Sequence, residues 1–155
     1  MSITTTAHLN FRGNAQEALE FYQSVFGGQI MVITYGDFGM PKELSDAGKV
    51  VWGQVAADNG FRVMAYDVPS QAGAGTAPAP ATRRENGMTL TGEPFFLSVR
   101  GETVAEVGAL WEKLAGGATI VEAYRPVQWA PAFGMLTDRF GITWILDVAA
   151  QYTND

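Results

Sequence analysis

The stretch AQEALEFYQSVFGG at residues 15–28 decides the fold, because an altered copy of it, VAEVGALWEKLAGG, occupies residues 104–117. At a constant offset of 89 residues, Glu17 matches Glu106, and both stretches end in two glycines. Apolar residues recur every three or four positions in each stretch, which is the spacing of one face of an α-helix. Glycine readily takes the left-handed conformation that ends a helix. The two stretches therefore predict two helices that belong to one repeated unit.

Each predicted helix begins at a residue that can cap it. Asn14 precedes the first helix and Thr103 the second, and side chains of both types accept hydrogen bonds from free helix amides. Glu17 and Glu106 stand three residues further on, as in a capping box. The predicted apolar faces consist of Ala15, Ala18, Leu19, Tyr22, Val25 and Phe26 in the first helix, and of Val104, Val107, Leu110, Trp111 and Leu114 in the second.

Runs rich in threonine, aliphatic and aromatic residues flank both helices and predict strands. The predicted strands are residues 3–11, 29–35, 49–57 and 60–68 around the first helix, and residues 94–100, 118–124, 132–137 and 142–149 around the second. The flanks also match between the copies: residues 9–13 with 97–101 at an offset of 88, Tyr35 with Tyr124 at 89, and Gly60 with Gly141 at 81.

The segment between the two copies differs in composition from both. Residues 69–92 contain many Gly, Ala and Pro residues. Glycine and proline disfavour both helix and strand, so this segment is predicted to be a flexible linker. We expect one α+β domain in which the same β-α-β-β-β unit occurs twice and curls around a shared cavity. Its parts are a first module (1–68), this linker, a second module (93–150) and a C-terminal tail (151–155).

The bulk composition excludes several classes of function. The chain has 155 residues and a formal net charge of −6, so we expect it not to bind nucleic acid, which requires many Lys and Arg contacts. It contains no cysteine, which excludes disulfides, thiolate metal sites and cysteine nucleophiles. No apolar run is long enough to span a bilayer, so no membrane association is expected. The first residues lack a signal-peptide pattern, which predicts a cytoplasmic protein.

Four short stretches together carry a family resemblance. They are LNFRGNA (residues 9–15), ALEFY (18–22), VFGG (25–28) and FGMLTDRFGITW (133–144). With them the chain resembles the vicinal oxygen chelate superfamily, which contains glyoxalases, bleomycin resistance proteins and extradiol dioxygenases, and within it the PhnB-like branch. The resemblance covers nearly the whole chain apart from the linker. It implies that each module forms half of a cupped, mostly antiparallel sheet around a cavity, in a homodimer.

Enzymes of this superfamily typically hold one divalent metal between ligands on the inward side of four strands. Counting from the matched landmarks places these positions at Ala7, Met64, Phe96 and Ile145. None of the four offers the imidazole or carboxylate ligand that such a site needs. His8, the single histidine of the chain, lies one residue away from the first position. We therefore expect neither a metal nor another cofactor.

The cavity is expected to be lined by aromatic residues with a few polar groups, as small-molecule sites usually are. The candidate ligand-binding residues are His8, Trp52, Gln54, Tyr66, Trp129, Phe133 and Trp144, with Thr143 as a further polar candidate. Which of them point inward depends on the strand register. The pair Asp138-Arg139 is interpreted as a turn, with Asp138 accepting backbone amides and Arg139 exposed, in preference to a substrate-anchoring role.

Three functions remain open. The first is a metal-independent, homodimeric binder of a small molecule. The second is an enzyme, which the resemblance implies to be a lyase, an isomerase or a dioxygenase, with a displaced metal site around His8. The third is a non-catalytic interaction module in which the cavity is vestigial.

Overall fold

The computed structural model of the chain describes residues 2–70 and 82–150 and separates into two units, residues 1–75 and 76–155. The first unit contains β1 (Ala7–Phe11), α1 (Ala15–Phe26), β2 (Gln29–Thr34), β3 (Val50–Ala56) and β4 (Arg62–Asp67). The second unit contains β5 (Arg83–Glu85), β6 (Met88–Leu90), β7 (Leu97–Gly101), α2 (Val104–Leu114), β8 (Thr119–Val127), β9 (Ala130–Thr137) and β10 (Thr143–Val148). All eight predicted strands are present, with ends shifted by at most four residues.

Each unit forms a four-stranded sheet with the same topology. The strand order is β1-β4-β3-β2 in the first unit and β7-β10-β9-β8 in the second. β1 runs parallel to β4, and β7 runs parallel to β10, while the other neighbours in both sheets are antiparallel. This arrangement confirms the predicted α+β class, the duplicated β-α-β-β-β unit and the mostly antiparallel pairing.

Helix α1 packs against the first sheet through its predicted apolar face. All six predicted residues are buried, with exposed fractions between 0% and 5%. Gly53 in β3 leaves room for the helix, because a Cβ at this position would overlap the Leu19 side chain. Gly27 and Gly28 have φ angles of 78° and 96° and end the helix, as the sequence predicts.

The start of α1 is capped by a residue from the far end of the unit. Asn14 occupies the cap position, but its side chain makes no capping hydrogen bond, so the prediction that Asn14 caps the helix through its side chain is wrong. Asp67 of β4 takes this role: its Oδ1 accepts hydrogen bonds from the amides of Gly13 at 2.7 Å and Ala15 at 3.0 Å. A carboxylate next to the positive end of a helix is electrostatically favourable.

Helix α2 is capped as predicted but is less completely buried. Thr103 Oγ1 accepts a hydrogen bond from the Glu106 amide at 3.1 Å. Of the five residues predicted for its apolar face, only Val107 and Leu114 are buried, and Val104 is 44% exposed. Of the two described helices, neither has the length and apolar character that crossing a membrane requires.

Part of the predicted linker is a β-hairpin. β5 and β6 pair antiparallel through a turn at Asn86 and Gly87, whose φ angles are 51° and 76°. Asn-Gly is the residue pair that favours such a tight hairpin turn. The prediction of a linker without regular structure is therefore wrong for residues 83–90. Residues 71–81 of the predicted linker and the predicted tail at 151–155 lie outside the described residues.

Candidate functional site

The first sheet has one face against α1 and one face away from it. Gly53, where a side chain would overlap Leu19 of α1, marks the face against the helix. Successive side chains of a strand point to opposite faces, so the strand register identifies the residues on the other face. We call this other face the distal face of the first sheet. Its central side chains are His8, Asn10, Trp52, Gln54, Met64 and Tyr66.

Four of the seven candidate ligand-binding residues lie together on this distal face. His8 lies opposite Met64 of β4, which in turn lies opposite Gln54 of β3. The rings of His8 and Tyr66 meet edge to face, with centroids 5.3 Å apart. The indole N–H of Trp52 donates to Met64 Sδ at 3.3 Å. The four predicted residues and Met64 therefore form one continuous group.

Three side chains of this group can form hydrogen bonds to a ligand. His8 Nδ1 lies 3.1 Å from Asn10 Oδ1. With the amide oxygen as acceptor, the ring proton lies on Nδ1 and leaves Nε2 as an acceptor. Among the described residues, neither the Gln54 side-chain amide nor the Tyr66 hydroxyl has a hydrogen-bond partner. His8 is exposed, whereas Gln54 and Tyr66 are half-buried.

The first predicted metal position is displaced by one residue. Ala7 pairs with Val63 on the side of the sheet against α1, and His8 takes the position on the distal face. The prediction that Ala7 points to the ligand side is therefore wrong. A shift of one residue along a strand exchanges the two faces, and counting residues through the loop before α1 did not fix the register.

The side chains around His8 do not fit a divalent metal. Its neighbours on the distal face offer the Met64 thioether and the Asn10 and Gln54 amides, whereas the metal implied by the resemblance takes imidazole and carboxylate ligands. Over residues 2–70 and 82–150, no three His, Asp or Glu side chains lie close enough together to hold a metal ion.

Trp144 is a core residue of the second unit and not a lining residue. A Cβ on Gly101, the neighbour of Val148, would overlap Val107 of α2, which marks the face of the second sheet against the helix. Trp144 lies on that same face, is 1% exposed and donates its indole N–H to Asp138 at 2.8 Å. The interpretation of Trp144 as a ligand-contacting residue is therefore wrong.

The other two aromatic candidates also belong to the second unit. Trp129 lies in the turn between β8 and β9 and is 54% exposed. Its ring meets that of Phe133 edge to face, with centroids 5.5 Å apart. Phe133 lies opposite Asp147, on the face of the second sheet away from α2, which we call the distal face of the second sheet.

The Asp138-Arg139 pair forms the predicted turn. Asp138 is 4% exposed, and its Oδ1 accepts hydrogen bonds from the amides of Phe140 at 2.8 Å and Ile142 at 3.0 Å. Arg139 is exposed and donates a hydrogen bond to the Gly116 carbonyl at 3.0 Å. This confirms the turn interpretation, because the buried Asp138 carboxylate accepts hydrogen bonds from backbone amides of the turn.

The distal face of the second sheet carries charged side chains. Arg100 forms two hydrogen bonds with Asp147, at 3.0 and 2.9 Å. At the other end of β10, Thr143 donates to Glu93 at 2.8 Å. On β8, a hydrogen bond from Arg125 lowers the pKa of Glu122 despite its partial burial. Thr143, predicted as a polar ligand contact, is thus engaged with a neighbouring carboxylate.

Asn10 and Met64 contribute to the group on the first distal face, although the sequence did not single them out as ligand-binding residues. Asn10 lies two residues after His8 on the same strand, and this spacing places both side chains on one face. Met64 was located only as an apolar metal position. Alternation from His8 is the signal that could have identified Asn10.

The sequence pattern of the Glyoxalase/Bleomycin resistance protein/Dioxygenase superfamily matches residues 6–146 of the chain. Protein YjdN of Escherichia coli (strain K12) is 27% identical over 149 residues, which cover 93% of this chain and 94% of that protein. Protein PA1353 from Pseudomonas aeruginosa is 26% identical, covers 97% of this chain and 100% of its own, and superposes with a TM-score of 0.74. A PhnB protein from Bacillus cereus is also 26% identical. The match covers 95% of this chain and 100% of that protein, with a TM-score of 0.66. The chain belongs to the glyoxalase/bleomycin resistance protein/dioxygenase superfamily and is similar to its PhnB-like members.

Proposed function

We propose that the protein binds a small organic molecule on the distal face of the first sheet, without a metal ion. One observation carries this proposal: His8, Trp52, Gln54 and Tyr66 come from three adjacent strands and lie together on one face. The polar atoms of Gln54 and Tyr66 have no hydrogen-bond partner among the described residues.

The chemistry of this face suits ligand binding. Small-molecule sites combine apolar and aromatic surface with a few polar groups that orient the ligand. Here Trp52, Met64 and Tyr66 supply the apolar surface, and His8 and Gln54 supply hydrogen bonds. Because the Gln54 amide has no hydrogen-bond partner within the described residues, a ligand can pair with it without breaking a hydrogen bond inside the protein.

We further propose that the protein acts as a homodimer, as the resemblance implies. Large apolar side chains at the surface support this, since their burial drives subunit association. Phe38 and Leu44, in the loop between β2 and β3, are 77% and 52% exposed. Light scattering coupled to gel filtration tests the proposal, and a monomer at micromolar concentration would contradict it.

The binding proposal is tested by thermal-shift screening of a metabolite library on protein treated with EDTA, followed by calorimetric titration of the hits. We expect stoichiometric binding that Trp52→Ala and Tyr66→Phe weaken by about tenfold or more, the loss expected for one good contact. Gln16→Ala is the control, because Gln16 is exposed on α1, on the opposite side of the same sheet, and it should leave the affinity unchanged. Hits that Trp52→Ala and Tyr66→Phe do not affect would contradict the proposed site.

The metal-free character has a separate test. Calorimetric titration with Zn²⁺, Mn²⁺ and Ni²⁺ should show no stoichiometric site of sub-micromolar affinity, and adding these ions should leave ligand affinity unchanged. A tight metal site that disappears in His8→Ala would instead favour the enzyme hypothesis.

A further inference from the structure

We propose that the ligand of the distal face of the first sheet is an uncharged, planar, two-ring heteroaromatic compound with a ring N–H next to a carbonyl group. This inference rests on the proposed function, because it names the ligand class of the same site. It follows from the charge, the spacing and the hydrogen-bonding groups of this face.

The distal face of the first sheet offers little counter-charge to a charged ligand. The strands β1 to β4 direct no Asp, Glu or Lys side chain to this face, and the one charged residue on it is Arg62, at the exposed start of β4. Moving a charged ligand from water to a site without an opposite charge is unfavourable. An uncharged ligand avoids this cost, although the chain as a whole carries a net charge of −6.

The spacing of the strands suits a flat molecule of two fused rings. His8, Met64 and Gln54 lie in one row across three adjacent strands. Neighbouring strands lie about 4.8 Å apart, so the Cα atoms of His8 and Gln54 are about 10 Å apart. A flat ring system between these two side chains would lie over the Met64 thioether, a group that packs well against aromatic rings. The Tyr66 ring packs against His8, and the Trp52 indole N–H contacts the Met64 sulfur, so both rings can add aromatic contacts to the ligand.

The polar groups at the two ends of the row define the hydrogen bonds that the ligand must offer. With Asn10 Oδ1 accepting a hydrogen bond from the Nδ1–H of His8, Nε2 is left as an acceptor. The Gln54 amide has one carbonyl and one NH₂ group, so it can donate and accept at the same time. A ring N–H beside a ring carbonyl, as in a lactam, is the complementary pair for such an amide. A further hydroxyl or N–H at the opposite ring would satisfy His8.

Four probes of similar size test this inference by calorimetry on the full chain. They are 2-quinolone, N-methyl-2-quinolone, the saturated octahydro-2-quinolone and the anion 2-quinolone-6-carboxylate, which keeps the ring N–H and the carbonyl. We expect 2-quinolone to bind about tenfold more tightly than each of the other three, the effect of losing one hydrogen bond, the flat shape or neutrality. Gln54→Leu should remove the preference over the N-methyl compound, and Gln54→Met, which also lacks the amide, provides a second variant if the leucine protein is unstable.

The single histidine adds a spectroscopic measurement. His8 is the sole histidine of the chain, so its ring ¹⁵N signals are unambiguous. In the free protein they should show the proton on Nδ1, and in Asn10→Ala this tautomer should lose its preference. Binding of 8-hydroxy-2-quinolone, which adds a donor on the second ring, should shift the Nε2 signal. If the Nε2 signal is unchanged when the protein is fully occupied by 8-hydroxy-2-quinolone, the assigned role of His8 is overturned.

Failure of this inference can be told apart from failure of the proposed function. If the saturated or anionic probe binds as tightly as 2-quinolone and Trp52→Ala still abolishes binding, the site stands and the ligand class is overturned. If any probe binds with an affinity that Trp52→Ala and Gln54→Leu leave unchanged, the site itself is overturned. If none of the four probes binds while library hits do depend on Trp52, the ligand class is likewise overturned.

Discussion

The two units share one topology but hold the start of their helices in different ways. In the first unit, the Asp67 carboxylate at the end of β4 accepts hydrogen bonds from the backbone amides of Gly13, Ala15 and Val50. It therefore connects the start of α1 to β4 and to β3. In the second unit, Thr103 caps its own helix locally. At the offset of 81 that relates the last strands, Val148 takes the place of Asp67. A repeated fold therefore tolerates either a distant or a local cap, but only the distant one also joins separate elements.

The distal faces differ even more than the caps. Where Gln54 lies opposite Met64 in the first sheet, Met135 lies opposite Ile145 in the second. Tyr66 corresponds at the same offset to Asp147, which pairs with Arg100. The first face is thus aromatic and nearly uncharged, while the second is apolar at its centre and ionic at its ends. The duplicated fold therefore carries two different surfaces, and we propose ligand binding at the first.

One feature is the same in both units. Gly53 and Gly134, also 81 residues apart, lie in the middle of β3 and β9 and face their helices. Each makes room for a large side chain, Leu19 in the first unit and Trp111 in the second. The close approach of helix and sheet is therefore a property of the repeated unit itself.

The largest expected loss of stability distinguishes the Asp67 cap of α1 from the Thr103 cap of α2. Asp67→Ala leaves three amides of the first unit without their acceptor, and Asp67 is only 1% exposed. An unsatisfied buried amide costs about 1–3 kcal/mol, so we expect a loss of about 4 kcal/mol in the free energy of unfolding. Thr103→Ala removes one exposed cap and should cost about 1 kcal/mol. Urea denaturation measures both values.

Asp67→Asn is the control, since it keeps one acceptor oxygen, and its loss should lie between those two. Equal losses for Asp67→Ala and Thr103→Ala would show that the distant cap adds nothing to the local one.

Substitution of Gly134 and Gly53 gives the next largest expected loss of stability. A Cβ at Gly134 would lie 2.7 Å from Trp111 and 2.9 Å from the Tyr124 backbone, which cannot easily move. Gly134→Ala should therefore cost about 3 kcal/mol, at the upper end for overpacking. At Gly53 the nearest atom is the end of the Leu19 side chain, which can shift, so Gly53→Ala should cost about 1 kcal/mol.

Thermal unfolding of the two single variants and of Gly53→Ala combined with Leu19→Val tests this difference. The smaller valine should recover part of the loss at Gly53. A Gly53→Ala protein as unstable as Gly134→Ala would mean that α1 is held as rigidly as α2.

The loop between the second and third strands of the repeated β-α-β-β-β unit is long in the first copy and short in the second. The long loop contains a carboxylate that should make the stability of the protein depend on acid pH. Residues 35–49 join β2 to β3, whereas two residues join β8 to β9. The longer loop is anchored by Asp46, which contacts Lys49 at 2.8 Å and the Ser70 hydroxyl at 2.7 Å. The hydrogen bond from Lys49, followed by those from Ser70, lowers the pKa of Asp46 from 3.8 to about 2.

Because the folded state lowers this pKa, the stabilisation is complete above the ordinary value of 3.8 and is lost as the pH falls towards about 2. Asp46→Asn should therefore be less stable than the wild type at pH 6, and the two should converge near pH 2. Urea denaturation at several pH values measures the difference. A constant difference across this range would contradict the assignment.

The sequence predicts the repeat well because its signals are local and occur twice. Helical spacing, paired glycines and capping residues lie within one short stretch, so the copies at 15–28 and 104–117 support each other. The turn at Asn86-Gly87 was an equally local signal, but the surrounding Gly and Pro residues obscured it. Four of the candidate residues lie on one face of the first sheet, because residues at alternating positions of a strand share a face.

The features that the sequence did not reveal depend on distant contacts. Asp67 lies 54 residues from the Gly13 amide that it accepts, and no local pattern indicates this pairing. Trp144 is a ligand-binding candidate from the sequence because alternation defines two faces without saying which one meets the helix. That choice is made by Gly101 and Val107, which come together only in the folded unit.

The smallest expected effect concerns the ionic end of the second distal face. Arg100 is 62% exposed, although its partner Asp147 is nearly buried, so solvent and salt screen much of their attraction. Arg100→Gln should lower the free energy of unfolding by only about 0.5 kcal/mol at low salt, and by less in 1 M NaCl. The same variant should leave ligand affinity on the first distal face unchanged, because that face has its own side chains. A tenfold loss of affinity in Arg100→Gln, with stability unchanged, would mean that the charged face takes part in binding, and the functional separation of the two units would be wrong.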